Sequence, residues 1–257
     1  MATFAALLDR RPALLALRRA LPRSTARVLT ARNPVQLHRL LHNTLIDAIV
    51  IGADAARGAV LESLRRDYPG IPLHLMMPLR SDDADVLLRA HRNRVVALLV
   101  ENLDEPVLGG LVRRHSVEAR RSADLLPLAT ALRLTDRVQL EAWRVVVSDA
   151  PLGIDATTLA RRMGIARETL SRRFASGGAP PVKRAIDAVR LVAAAQLLGN
   201  PAYRVEDAAR LLGFSSASLL QRTARRTLGV AAREVVGIDA ERLVARLRGA
   251  DGAPDWT

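Results

Sequence analysis

Two short stretches of the chain decide the fold of its C-terminal part. Residues 159–165 are Leu-Ala-Arg-Arg-Met-Gly-Ile, and residues 208–214, 49 positions later, are Ala-Ala-Arg-Leu-Leu-Gly-Phe. In each copy a small residue, Ala160 or Ala209, allows two helices to cross closely. The glycine four positions later permits the positive φ that a tight turn requires. The repeated spacing therefore predicts two similar helix-turn-helix units.

The residues that follow each glycine support this interpretation. Ile165 or Phe214 can fill the space between the two helices, and Leu170 or Leu219 can anchor the second helix. In a helix-turn-helix motif that second helix offers its outer face to the DNA major groove. One such match is common in helical proteins, and the alternative is an ordinary helical bundle. Two matches joined by a helix-length segment, Val182–Leu198, are much more specific.

The composition is that of a basic globular protein. Of 257 residues, 49% are apolar and 25% are charged, and the formal net charge is +13, which suits a phosphate-binding protein. A high-GC genome also inflates arginine, and Lys183 is the single lysine. Residues 151–236 hold fourteen Arg and Lys against six Asp and Glu, and residues 1–115 hold seventeen against eleven. Both halves are basic, so charge permits DNA binding without locating it.

Several classes of protein are excluded by what the chain lacks. Without cysteine there can be no disulfide, thiolate metal site or cysteine nucleophile. Apolar runs are too short for a membrane span. Asp9, Arg10 and Arg11 interrupt the segment Met1–Leu21, which excludes a signal-peptide core and predicts an amphipathic helix. We expect a cytoplasmic protein with no membrane partner.

Residues 26–114 alternate short apolar runs with helical patterns. Short, unalternating runs rich in Val, Ile and Leu are typical of strands buried on both faces of a parallel sheet, and strand-helix alternation predicts an α/β fold. The predicted strands are Ala26–Thr30, Ile46–Ile51, Ile71–Met77 and Val95–Val100, and the helical patterns between them are Pro34–Asn43, Gly58–Tyr68 and Ser81–Asn93.

From Ser116 onwards the pattern is helical and no strand returns. Breaks fall at residues 177–181 and 199–201, where Gly, Pro and Asn cluster. We therefore predict an α/β domain over residues 1–115, a helical connector over 116–150, an all-α domain with two helix-turn-helix motifs over 151–248, and a tail over 249–257.

The segment Ala142–Val236 resembles the DNA-binding domain of the AraC/XylS family of bacterial regulators. The residues that carry the resemblance are Leu170-Ser171-Arg172-Arg173-Phe174, Arg190-Leu191 with Leu197-Leu198, Leu211-Leu212-Gly213-Phe214-Ser215, and Arg225-Arg226-Thr227-Leu228-Gly229-Val230. The resemblance implies two recognition helices that enter successive segments of the major groove on one face of DNA. The chain departs from the family at Ala224 and Leu228, where an aromatic residue is usual, and at Pro181.

The resemblance also implies which side chains face DNA. The first recognition helix is expected at about 166–175 and the second at about 216–227. Arg172 and Arg222 are each suited to guanine, and Gln221 is suited to adenine. Base-facing positions are Glu168, Ser171, Arg172, Ala217, Ser218, Gln221 and Arg222, and positions near phosphates are Arg167, Thr169, Arg225 and Arg226.

The N-terminal pattern over residues 46–114 resembles the later part of a response-regulator receiver domain, a flavodoxin-like fold. A working receiver needs an aspartate ending the central strand, an acidic pair for Mg²⁺, a hydroxyl residue after the next strand and a lysine after the last. In this chain Gly52 stands in place of the aspartate, and Asp54 lies two residues too late to replace it. There is no acidic pair near Thr30-Ala31-Arg32. Met77-Pro78 stands in place of the hydroxyl residue, and Glu101 stands in place of the lysine. The resemblance implies a degenerate, pseudo-receiver domain that lacks phosphorylation chemistry.

These observations favour a sequence-specific transcription regulator and not an enzyme. The N-terminal domain would serve dimerisation or signal sensing. Two alternatives stay open: a phosphorylation-controlled response regulator, and an α/β ligand-binding protein or enzyme with a helical extension. No cofactor or metal is expected. The expected partners are double-stranded DNA, a second copy of the chain, RNA polymerase and an unidentified small-molecule or protein signal. The dimer surface is expected on the connector, at Leu125, Leu128, Leu132 and Val138, or at Val95–Arg114.

Overall fold

The computed structural model describes residues 1–238 and 240–248. The predicted tail over residues 249–257 lies outside them. The chain divides into two compact units. The N-terminal unit comprises residues 1–120 together with 200–202, and the C-terminal unit comprises residues 121–199 together with the described residues from 203 onwards.

The N-terminal unit is a five-stranded parallel sheet in the order β2-β1-β3-β4-β5, with helices between the strands. This order is that of the flavodoxin-like receiver fold, as the sequence predicts. The strands are β1 (Ala2–Leu7), β2 (Ala26–Thr30), β3 (Ala48–Gly52), β4 (Leu73–Met77) and β5 (Ala97–Val100). The helices are α1 (Arg11–Ala20), α2 (Pro34–Asn43), α3 (Ala53–Arg57), α4 (Val60–Asp67), α5 (Ala84–Arg92) and α6 (Glu105–Arg114).

The first strand corrects the sequence-based expectation for the N-terminus. Met1–Leu21 is not one amphipathic helix, because residues 2–7 form β1, the strand between β2 and β3. All six residues are buried, so the strand has no alternation of apolar and polar residues to mark its period. The helix begins only at Arg11, where Pro12 suits the first turn.

The core of the N-terminal unit lies between the sheet and its helices. Phe4 and Val50 contribute from the strands and are fully buried, as are Leu17 of α1 and Leu108 of α6. Gly109 lets α6 approach α1 closely, because a Cβ at that position would collide with the carbonyl of Ala20.

The C-terminal unit is entirely helical in its described part. The helix α7 (Val117–Leu125) contains the division between the units, which falls between Arg120 and Arg121. The remaining helices are α8 (Arg137–Asp149), α9 (Ala156–Arg162), α10 (Arg167–Phe174), α11 (Val182–Leu198), α12 (Val205–Leu211), α13 (Ala217–Leu228) and α14 (Ala240–Arg248).

The centre of this unit is formed by α8 and α11. Trp143 of α8 is 1% exposed, and its indole N–H donates to the Leu125 carbonyl at 3.1 Å. Ala188, Val189 and Leu191 of α11 are fully buried. Among the described residues, no helix combines the length and the apolar character needed to cross a bilayer.

Candidate DNA-binding site

The two predicted turns are present, one between α9 and α10 and the other between α12 and α13. Gly164 has a φ of +65° and Gly213 a φ of +69°, which confirms the prediction of a positive φ at both glycines. Ala160 and Ala209 are each 2% exposed. The small residues therefore lie inside the helix crossings, as the sequence pattern predicts.

The repeat shifts by one residue after the turns. The residues before the second helices, Ala166 and Ser216, are 50 positions apart, whereas the glycines are 49 positions apart. The second turn is therefore one residue longer. Ser216 begins α13 with its hydroxyl, which accepts a hydrogen bond from the Leu219 amide at 3.1 Å.

This shift makes the predicted anchor of the second helix wrong. Leu219 is only half-buried, whereas Leu220 is fully buried and takes the place that Leu170 has in α10. The same spacing pairs Phe174 with Ala224, and both are fully buried. A large ring in the first helix thus corresponds to a methyl group in the second.

The side chains predicted to face DNA lie on the two second helices, which span nearly the predicted ranges. Arg172 and Arg222 are both exposed and occupy equivalent positions, 50 residues apart. Ala217 and Gln221 are half-buried, and the Gln221 side chain accepts a hydrogen bond from the Ala232 amide at 3.4 Å. Of the other predicted positions, Thr169 and Ser171 are half-buried, and Arg167, Glu168, Ser218, Arg225 and Arg226 are exposed.

Arg226 has a partner within the protein. Its guanidinium lies 2.9 Å from the carboxylate of Asp187 on α11, and Lys183 lies 3.1 Å from the same carboxylate. Asp187 is 8% exposed. The ion pair ties the last turn of α13 to α11 and holds the Arg226 side chain, which is 63% exposed, to one side of its helix.

Gln139 of α8 holds the C-terminal end of the first recognition helix. Its side-chain amide donates to the carbonyls of Phe174, Arg173 and Ser176 at 3.0, 3.2 and 3.1 Å. The side-chain oxygen accepts from the amide of Asp136 at 2.9 Å, and Gln139 is 1% exposed. The last carbonyls of a helix lack partners within it, so one buried side chain fixes where α10 ends.

Sequence reasoning missed Gln139, although a signal was present. Asp136 and Gln139 have the spacing of a capping box, which predicts the start of α8. That pattern explains the acceptor oxygen of Gln139. Its donor atoms reach α10, 35 residues away along the chain, and local spacing carries no information about that contact.

Arg190 of α11 has the corresponding role in the second module. Its guanidinium lies 4.0 Å from the centre of the Phe214 ring and donates to the Leu212 carbonyl at 2.6 Å. Cation–π stacking and a charge-assisted hydrogen bond both stabilise such a contact. In the sequence Arg190 is part of the family motif, and the structure shows that it holds the turn between α12 and α13.

The start of α9 is fixed by Asp155. Its carboxylate accepts a hydrogen bond from the Thr158 amide at 2.7 Å. This hydrogen bond holds the pKa of Asp155 below its usual range. A charged N-cap also interacts favourably with the helix dipole, so the first helix of the first module begins at a defined residue.

The second functional region predicted from the sequence is the edge of the parallel sheet at which the strands end. Asp9 follows β1 and was missed because that strand was predicted as helix. A Cβ at Gly52 would collide with Asp9 Oδ1, so the Asp9 carboxylate occupies the place of a side chain at the end of β3. Partial burial, followed by the neighbouring Asp54 charge, raises the pKa of Asp9.

The residues at this edge do not fit the Mg²⁺ ion and phosphoryl group of a working receiver. Gly52 supplies no carboxylate, and Asp54 is bound to Arg57 at 2.9 Å. Glu101 stands where the lysine is expected and pairs with Arg10 at 2.6 Å. In the described part of the chain, no group of three or more His, Asp or Glu side chains is placed to hold a metal ion.

Comparison with known proteins places the helix-turn-helix motifs in a known class. Residues 159–237 match a family described as "Helix-turn-helix domain". The C-terminal unit thus carries an AraC-type helix-turn-helix domain, the DNA-binding domain of transcription regulators. No curated protein matches the chain.

Solved structures that resemble the chain include response regulators. A response regulator from Thermotoga maritima is 16% identical, with a TM-score of 0.39 over 45% of this chain and 97% of that one. Full-length FixJ from B. japonicum is 12% identical, with a TM-score of 0.39 over 88% and 96%. RcsB from Salmonella enterica serovar Typhimurium, bound to promoter rprA, is 15% identical, with a TM-score of 0.34 over 68% and 89%. The receiver-like fold of the N-terminal unit is identified from its strand order, β2-β1-β3-β4-β5.

Proposed function

We propose that this protein is a sequence-specific, AraC-like transcription regulator that reads DNA with α10 and α13. The observation that carries the proposal is the equivalence of Arg172 and Arg222, both exposed on the second helix of a turn with a positive-φ glycine. The segment that contains them, residues 151–236, has fourteen basic residues against six acidic ones. Such a surface displaces counterions from the phosphate backbone.

Within this proposal Arg172 and Arg222 each bind a guanine edge, and Gln221 or Ser218 contacts an adjacent base. Glu168, Ser171 and Ala217 face the bases beside them. Arg167, Thr169 and Arg225 contact phosphates. Arg226 also contacts a phosphate if it leaves Asp187, and it otherwise supports α13 from within the protein.

The proposed division of labour follows the predicted domains. Residues 1–115 are a regulatory domain, residues 116–150 a connector and residues 151–248 the DNA-binding domain. The hydrogen bonds from Gln139 to the end of α10 support a connector whose helix α8 also belongs to the packing of the DNA-binding part.

The regulatory domain works in this proposal without phosphorylation. The supporting observation is that Asp9 fills the acceptor place beside Gly52, while Glu101 and Arg10 form an ion pair where a receiver has a lysine. We expect no mass gain when the protein is incubated with acetyl phosphate and Mg²⁺. Transfer of a phosphoryl group to Asp9 or Asp54 would instead favour a phosphorylation-controlled response regulator.

We further propose a homodimer formed through the face around β5 and α6. Val96, Leu103 and Val107 are 44%, 72% and 54% exposed there, and β5 is an edge strand. The other predicted surface is disfavoured because Leu125 and Leu132 are 2% and 0% exposed within their own unit. A second copy would double the length of DNA that is read, which improves discrimination against non-specific sites.

The proposal is tested by measuring DNA affinity. The full-length protein should select a defined sequence from a random pool of duplexes. Arg172→Ala and Arg222→Ala should each weaken binding to that sequence by about 1–3 kcal/mol. Arg144→Ala, an exposed arginine of α8, is the matched control and should change affinity much less. Full affinity in both test variants, or no enriched sequence, would contradict the proposal.

A further inference from the structure

The N-terminal unit contains a cleft that the proposed DNA-binding function does not use. Its volume is about 630 Å³. It is lined by the residues that follow β1, by the start of α2 and by the segment from α3 to α4. Cavities of a few hundred to a thousand Å³ are the size that encloses drug-sized ligands.

The position of the cleft in the fold is that of a binding site. In an open parallel sheet, ligands bind outside the carboxyl ends of the strands, where the strand order reverses. In the order β2-β1-β3-β4-β5 this point lies between β1 and β3. Leu8 and Asp9 after β1, and Asp54 and Ala55 after β3, line the cleft from its two sides.

The lining combines an apolar wall with a small number of polar groups. Leu8, Pro34 and Val60 supply apolar surface, and Ser63 supplies a hydroxyl. An apolar wall with a few polar groups that fix orientation is the usual composition of a small-molecule site. The cleft is therefore suited to a ligand with a hydrophobic body and one charged or polar end.

The charged groups around Asp9 indicate the sign of the charge on the polar end of the ligand. Arg10, which follows Asp9 in the chain, is paired with Glu101, and Arg57 is paired with Asp54 and Asp83. Asp9 itself is exposed, and the carboxyl group of Asp54 is its neighbour in the lining. A cation brought to Asp9 would offset the repulsion between two neighbouring carboxyl groups. Arg32, exposed on the rim, is the basic residue of the lining.

We infer that this cleft binds a small organic cation, an aromatic or aliphatic body that carries a protonated amine, with the amine on Asp9. The inference deepens the proposed function, because it rests on the N-terminal unit acting as the sensor and names the chemical class of its signal. Binding of such a ligand needs no phosphoryl transfer. It would give the receiver-like fold an input that is compatible with Gly52 at the acceptor position.

The test is calorimetric titration of the full-length protein without DNA. The probes are phenethylamine, tryptamine and 2-(2-naphthyl)ethylamine, which increase in size, and the carboxylic acids with the same rings. At least one amine should bind saturably and more tightly than its acid. Asp9→Asn should weaken that binding about tenfold or more, as expected for a charge-assisted hydrogen bond. Asp82→Asn, an exposed aspartate outside the lining, should leave it unchanged.

A second variant guards against a folding defect in Asp9→Asn. Ala59→Trp fills the cleft from an exposed position of its lining and keeps Asp9, so it should also abolish binding. The inference is overturned if no amine binds, if the acids bind as tightly, or if either Asp9→Asn or Ala59→Trp leaves binding unchanged. Since DNA is absent, such a failure leaves the reading of DNA by α10 and α13 untouched, and a failure to bind DNA leaves the titration interpretable.

Discussion

The two helix-turn-helix modules share a turn and differ in what holds their recognition helices. In the first module α10 has 8 residues, and the ring of Phe174 and the cap from Gln139 fix its end. In the second module α13 has 12 residues, is capped by Gly229, and is held through Arg190 and Asp187 of α11. The end of α10 is capped by a side chain of α8, whereas α13 and the turn before it make charged contacts with α11.

The comparison shows that a repeated motif need not have repeated support. The residues common to both copies, the small residue and the glycine, are those that the turn geometry requires. The residues that differ include Gln139 of α8 and Arg190 of α11, which lie on the helix that precedes each module. Substitutions at the supports should therefore affect one module and leave the other intact.

The largest expected effect is at the position where the ring of one module corresponds to a methyl group of the other. Phe174→Ala should lower the free energy of unfolding of the C-terminal unit by about 3–5 kcal/mol, because a buried ring is lost and a cavity remains. The reverse change, Ala224→Phe, should cost about 1–3 kcal/mol through overpacking.

Denaturant unfolding followed by Trp143 fluorescence in a Trp256→Phe background measures both changes, since Trp143 is buried in this unit. If Phe174→Ala cost no more than a surface substitution, α10 would not depend on this ring and the comparison would lose its main difference.

An intermediate effect is expected at the cap of the first helix. Gln139→Leu should destabilise the C-terminal unit by about 1–3 kcal/mol, because buried carbonyl and amide groups lose their partner. Its DNA binding should lose preference for the bases read by α10 and keep the preference for those read by α13. Glu141→Leu, on an exposed position of the same helix, serves as the control. If the preference fell equally for the bases read by α10 and for those read by α13, the two modules would not be supported independently.

The smallest of these effects is expected at the support of the second module. Arg190→Met should cost about 1–2 kcal/mol, from the lost cation–π contact and the lost hydrogen bond to Leu212. In this variant the preference should fall for the bases read by α13 and remain for the bases read by α10. Arg190→Lys keeps the charge and should retain part of the affinity. If Arg190→Met bound DNA as the original protein does, Arg190 would not support the turn between α12 and α13.

The sequence predicted those features that are local or periodic. The helices Pro34–Asn43 and Val182–Leu198 and the strand Ala26–Thr30 have the predicted bounds, because caps, prolines and apolar periods mark their ends. Both glycine turns were predicted for the same reason. The repeat also led to the wrong anchor, Leu219, because one extra residue in the second turn shifts the helix by 100°.

The features that sequence reasoning missed depend on contacts between distant residues. The strand β1 has no alternation, so its pattern did not distinguish it from the start of a helix. Asp9 could therefore not be recognised as a residue of the site. Its position at the end of β1, next to β3, follows from the order of the strands in the sheet. The contact of Gln139 with α10 joins segments 35 residues apart, and no spacing rule describes it.

The most direct test of the account is to determine which bases each module reads. Duplexes selected from a random pool by the full-length protein should contain two conserved elements about one helical turn, or roughly 10 base pairs, apart. Selection with Arg172→Ala should lose the guanine preference in one element, and selection with Arg222→Ala should lose it in the other. A single conserved element, or the same element weakened by both variants, would contradict the claim that α10 and α13 read DNA as two separate modules.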